Sequence, residues 1–248
     1  MGRLQRQKRD WEDLASVDPL WAILSVPERR GRRWTLQEFF ETGEADVLRV
    51  VRVARELGRP RGWNRALDFG SGVGRVTRPL ANYFDEVAGV DISEHMIEQA
   101  RCLNADAPSC TFLVNVDPDL GLFASHSFDL VYSRLVLQHL QSAATVRRYL
   151  TEFLRVVRPD GLVVFQLPDA VPWRARLDLH RRLYGFLRAV GVHQSWLYDR
   201  AGLNPMRTTG MGEESVRRFL DAHGAVVARV EPDEPAPAVP SLQYYVHF

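Results

Sequence analysis

Three glycines, Gly70, Gly72 and Gly74, follow the apolar run "ALDF", and Asp91 closes the next apolar run, "EVAGV". Glycines after a strand let the backbone turn sharply against a ligand, and the helix start that follows offers unpaired N–H groups. A carboxylate or a phosphate suits such a turn equally well. The dinucleotide fingerprint asks for a further glycine where helix and strand pack closely, but Arg75 stands after Gly74 here, which counts against a nicotinamide dinucleotide. Asp91 can accept hydrogen bonds from both hydroxyls of a ribose. The alternative for it is capping of the helix opening "SEHM", for which Ser93 is the better residue.

His139 is the histidine placed for proton transfer, just beyond the apolar strand "SFDLVYS" in "LVLQHL". A neutral imidazole there could take a proton from a hydroxyl or an amine, and packing or a backbone hydrogen bond is its structural alternative. No two histidines have ligand spacing on one helix face, so no metal site is predicted. Lys8 is the only lysine, which argues against Schiff-base chemistry and Walker-type phosphate loops. Cys102 and Cys110 read as buried, reduced thiols rather than a disulfide framework.

The elements that must position these residues form a regular series. From Arg65 to Leu167 apolar strands alternate with helical stretches, which predicts a parallel sheet with helices on both faces. The expected fold class is α/β, a doubly wound, Rossmann-like sheet of seven strands with an antiparallel last strand. Its predicted parts are an N-terminal helical appendage over residues 1–45, a core over 46–167, a helical cap over 168–212, and a completion of the sheet over 213–248. Within the first part Thr35 and Glu38 have capping-box spacing. The whole chain of 248 residues carries a net charge of +1, so no global field draws it to nucleic acid. No apolar run is long enough for a membrane span or a leader, and the expectation is a cytoplasmic protein that needs no membrane partner.

With "LDFGSGVGR", "VDIS" and "SFDLVYS" at these places, the chain resembles the class I S-adenosylmethionine-dependent methyltransferases, most strongly from Asn64 to about Pro168. The resemblance implies S-adenosyl-L-methionine as cofactor and S-adenosyl-L-homocysteine as product. It implies Asp68 and Gly70 at the methionine ammonium, and Ser71, Gly72 and Gly74 in the turn beside it. Asp91 would hold the ribose, with Ile92 and Met96 on adenine. Asn115, where many relatives have aspartate, would stand near the adenine amino group with Val116. Arg75 is a partner for the methionine carboxylate or a solvated helix residue, and Ser133 offers backbone contacts.

The same resemblance implies that the region after the fourth strand selects the acceptor. "YSRLVLQHL" lacks the Asn-Pro-Pro-Tyr type of motif, which favours oxygen or nitrogen of a small molecule, such as a secondary metabolite or a sugar-containing intermediate. Trp34, Arg134, Gln138 and Tyr198 are the expected substrate contacts, with Trp173 among the further aromatics of the cap. An RNA or protein acceptor, a NAD-dependent oxidoreductase and a non-catalytic cofactor-binding module are the alternatives.

Overall fold

The computed structural model describes residues 3–171, 179–233 and 239–248. Trp173 lies outside them. The seven strands are β1 (Arg65–Phe69), β2 (Glu86–Asp91), β3 (Cys110–Val114), β4 (Phe128–Ser133), β5 (Val157–Pro168), β6 (Val226–Pro232) and β7 (Ser241–His247). They form one sheet in the order β3-β2-β1-β4-β5-β7-β6, in which β7 runs antiparallel to both neighbours. The expected α/β class and sheet are therefore present.

The two-residue period of the strands divides their side chains between two cores. Leu67, Phe69, Val131, Val163 and Phe165 face one, packed by α6 (Ala143–Val156) and α9 (Glu213–Asp221). Ala66, Leu130, Tyr132, Leu162 and Val164 face the other, packed by α3 (Leu36–Glu56) and α4 (Thr77–Leu80). The chain leaves β1 toward β2 on one side and reaches β4 on the other. Its direction of travel thus reverses between β1 and β4, which opens a crevice at their carboxyl ends.

The expected boundary between residues 45 and 46 falls inside α3, one unbroken helix opened by the Thr35–Glu38 capping box. Gly43 is the point where α3 crosses closest to the glycine turn's far end. A side chain there would fall on the carbonyl of Arg75. That carbonyl is free of a helical partner because Pro79, four residues on, has no N–H. The helical stretch between β1 and β2 is confined to the four residues of α4.

Helices α1 (Arg3–Val17) and α2 (Pro19–Ile23) lie across the carboxyl edge of the sheet. Leu14, Ala22 and Leu24 pack there against Val73 of the glycine turn and Met96 of α5 (Glu94–Leu103). Of the expected cap, α7 (Leu179–Ala189) and α8 (Gln194–Asp199) stack on the outside of this appendage. Asp13 accepts from Tyr184 and Arg188, and Asp18 accepts from Tyr198. Cys102 is exposed and Cys110 partly buried, both free, which corrects the expectation of buried thiols.

Two consequences are measurable. Gly43→Ala should force α3 away from Arg75 and lower stability by about 1–3 kcal/mol, read as a drop in the unfolding midpoint. Asp68, buried in β1, has its carboxyl pushed up to about 6, chiefly by burial, with the Thr77 hydroxyl bond opposing. Between the ordinary carboxylate range and that value the folded protein holds a proton that the unfolded chain releases, so this group lowers stability as pH rises from 4 to 6. Asp68→Asn removes the effect. Across that window the variant should gain on the wild type by roughly 1–3 kcal/mol in denaturant titrations.

Candidate functional site

The crevice at the ends of β1, β2 and β4 is closed into a cavity by the N-terminal helices. Gly70 and Gly72 form one wall with Phe69, and Asp91, Ile92 and Met96 form another with Val90. Asn115, Pro118 and Tyr149 flank one end, while Arg134, Leu135 and Val136 come from the segment after β4. Leu4, Gln7, Trp11, Ala22 and Ile23 roof it from α1 and α2.

The glycine turn is folded onto β2 rather than onto a helix start. The N–H groups of Gly70 and Ser71 both donate to the Val90 carbonyl, that of Gly72 donates to Asp91 Oδ2 at 3.0 Å, and that of Gly74 donates to Ser71 O. These four amides are spent within the protein, so they do not form the N–H cradle that a phosphate needs. Gly70 and Gly72 have φ of 80° and 52°, the left-handed region that suits glycine. A side chain at Gly70 would strike Val136, and one at Gly72 would strike Ile23, so the absence of Cβ atoms keeps this wall open. Gly74, expected beside the cofactor, packs instead on Asn104 and Phe112.

Asp91 accepts Gly72 N–H on one oxygen and Ser93 N–H on the other, and its partly exposed carboxylate borders the cavity. Each oxygen retains a lone pair, the arrangement that two vicinal hydroxyls can meet. Burial pushes its carboxyl above the ordinary range, opposed by the Ser93 and Gly72 bonds. Ser93, as expected, caps α5. Ile92, Met96 and Pro118 supply flat apolar walls beside it. Asn115 closes its own loop, with Nδ2 donating to Asp119 O and Oδ1 accepting from Asp117 N–H, and still borders the cavity. Val116 is exposed to solvent away from it.

Several expected contacts stand behind the cavity wall. Asp68 takes the Thr77 hydroxyl at 2.6 Å beneath the turn, and the Ser133 hydroxyl donates to Phe69 O, tying β4 to β1. Ser71 turns its buried side chain toward Gly89. Arg75 is neither solvated nor at the cavity. It is buried and donates to Asp46 at 2.7 Å. The same Asp46 oxygen accepts from Arg134, which also donates to Asp233. Arg134 borders the cavity, but its charge is balanced from behind.

Trp34 and Tyr198 do not line this cavity. The Trp34 indole donates to Leu24 O among apolar neighbours. The Tyr198 hydroxyl donates to Asp18 at 2.6 Å, because buried Asp18 holds α2, residues 31–32 and α8 together.

His139 and Gln138 sit one wall away from the first cavity. A second cavity is lined by Gln7, Asp10 and Trp11 of α1, by His139 and Gln141, by Arg181 of α7, and by Met206 and Arg207. Gln7 and Trp11 border both cavities, and the Trp11 ring meets His139 edge-on at 5.3 Å. His139 is half-buried, and burial lowers its imidazole below the ordinary value, opposed by its bond to Arg207 O. The contributions of α1 were not assigned from sequence. Their signal is the spacing of Leu4, Gln7 and Trp11, which places all three on one face of a helix.

Residues 67–165 match the family described as a methyltransferase domain. Malonyl-[acyl-carrier protein] O-methyltransferase of Salmonella typhimurium is 28% identical over 144 residues, 58% of this chain and 52% of that protein. N-terminal Xaa-Pro-Lys N-methyltransferase 1 of Homo sapiens is 32% identical over 128 residues, 47% of this chain and 53% of that protein. The chain spans about half the length of these curated relatives. Among solved structures, an S-adenosylmethionine-dependent methyltransferase of Leishmania major aligns with 99% of this chain and 87% of its own at a TM-score of 0.66 and 15% identity. Magnesium protoporphyrin IX methyltransferase of Synechocystis with bound S-adenosylhomocysteine aligns with 86% and 87% at 0.57 and 20% identity. These likenesses establish the shared fold. The match over residues 67–165 is to a methyltransferase domain, and the likenesses to S-adenosylmethionine-dependent methyltransferases are likenesses of fold.

Proposed function

We propose that the protein transfers a methyl group from S-adenosylmethionine to oxygen or nitrogen of a small molecule that enters the second cavity. The observation that carries this reading is the pair of adjoining cavities sharing Gln7 and Trp11, with a titratable imidazole in the second. When bound, the cofactor would supply a methyl carbon on a sulfonium, open to in-line attack by the acceptor's lone pair as the C–S bond breaks and S-adenosylhomocysteine leaves with its electron pair. Asp91 would bind the ribose hydroxyls, and Ile92 and Met96 would flank the base. Gly70 and Gly72 would give the methionine portion close backbone approach. Trp11 and the roof of α1 and α2 would exclude water and align the reactants, an effect worth roughly 7–11 kcal/mol in favourable cases.

His139 is the proton acceptor in this reading. An acceptor O–H or N–H that displaces the Gln138 amide from Nε2 would hand its proton to the imidazole as the new bond forms. The two named curated relatives methylate, by their names, an oxygen and a nitrogen, which fits either acceptor atom. The human relative also motivates a second reading, a peptide N-terminus as acceptor, with its amine inserted beside Asp10. Tests against short peptides and against small alcohols and amines separate the two. The expected setting remains the cytoplasm. Among the described residues no helix is long and apolar enough to cross a membrane.

Thermal unfolding tests the cofactor assignment. S-adenosylhomocysteine at 100 times its dissociation constant should contribute about 2.7 kcal/mol and raise the midpoint by about 5–10 °C, with NADH giving no shift. Asp91→Ala should abolish that rise. His139→Ala should keep it, yet lower turnover by about 10²-fold. A shift with NADH alone would overturn the assignment, and normal turnover in His139→Ala would remove the base from the reaction.

A further inference from the structure

A row of side-chain amides joins the two cavities. Leu135, which borders the first, has φ of 63° and donates its N–H to Gln166 Oε1 at 3.1 Å. Gln166, buried in β5, donates from Nε2 to Gln138 Oε1 at 3.2 Å. Gln138 Nε2 lies 3.1 Å from His139 Nε2, and His139 Nδ1 lies 2.7 Å from Arg207 O.

The direction of this row is set at both ends by groups that cannot reverse. A backbone N–H can only donate, so the Gln166 atom facing Leu135 is oxygen and its nitrogen faces Gln138. The Gln138 atom facing Gln166 is then oxygen, and its nitrogen donates to His139 Nε2. At the far end a backbone carbonyl can only accept, so the proton sits on Nδ1. The two ends independently demand the same tautomer. Residues 138–140 are also clamped from outside, since Thr209 donates its N–H to Gln138 O and its hydroxyl to Leu140 O.

We propose that Gln166 is a positioning residue that, through Gln138, holds His139 as the neutral imidazole protonated on Nδ1, with the Nε2 lone pair kept unprotonated and engaged by the Gln138 amide until an acceptor displaces it. The charged groups that share the second cavity are Asp10, Arg181 and Arg207, with Asp10 accepting from Arg181 at 3.3 Å. The acceptor role of Nε2 rests on the function proposed above, whereas the tautomer does not.

Gln166→Glu makes the sharpest test. A carboxylate still accepts from Leu135 but cannot donate to Gln138, so the Gln138 amide must turn over and present oxygen to His139 Nε2. Both ring nitrogens then face acceptors, which favours the imidazolium. Nitrogen-15 spectra of the ring in the unliganded protein should show the neutral Nδ1–H tautomer in the wild type. In Gln166→Glu the His139 pKa should rise by about one unit or more. Gln138→Leu, on a half-buried surface segment, serves if the buried carboxylate prevents folding. It removes the donor to Nε2 while the Arg207 carbonyl still holds the proton on Nδ1, so the tautomer should persist and the Nε2 nitrogen-15 resonance should shift as that atom loses its hydrogen bond. An Nε2–H tautomer in the wild type, or a ring unchanged in a folded variant, would overturn the proposal. Retention of the S-adenosylhomocysteine shift in these variants separates the relay from the cofactor assignment. Loss of that shift in the wild type would fault the assignment and leave the tautomer result standing.

Discussion

The packing of α1 across the carboxyl edge of the sheet is the constraint on which the two cavities depend. Three neighbouring acids hold it there. Glu12 accepts from the N–H groups of Glu94 and His95 and from the Ser93 hydroxyl, at the positive end of α5. Asp13 faces the other way and binds Tyr184 and Arg188 of α7. Asp18 fixes α2, residues 31–32 and Tyr198. With both sides of α1 anchored, Gln7 and Trp11 form a wall common to both cavities.

The core of the fold was legible because its signals are local. Period-two apolar strands, helical stretches between them and a glycine turn before an acid specify the parallel sheet and its ligand edge. Gly70, Gly72, Asp91, Ile92 and Met96 could be placed at the cavity because strand ends in such a sheet meet at one crevice. The Thr35–Glu38 cap was equally readable, since it spans four residues.

What escaped depends on contacts between distant segments. Arg75 reads as a partner for the methionine carboxylate or a solvated helix residue until Asp46 is found opposite, and nothing local marks Gly43 as the point where α3 meets the Arg75 carbonyl. Trp34 and Tyr198 carry the composition of a binding site, but aromatics with polar tips serve equally as anchors when a buried acceptor is near. Leu24 O and Asp18 are those acceptors. The placement of His139 in a second cavity depends on the irregular stretch at 205–207, whose path no periodicity describes.

The central claim is that the N-terminal helices complete the cofactor cavity rather than decorate the domain. Amide hydrogen exchange, with and without S-adenosylhomocysteine, addresses it most directly. Slower exchange in residues 7–24 together with residues 69–72 and 91–96 is the predicted result. Protection confined to the strand ends, with α1 and α2 exchanging as before, would contradict it.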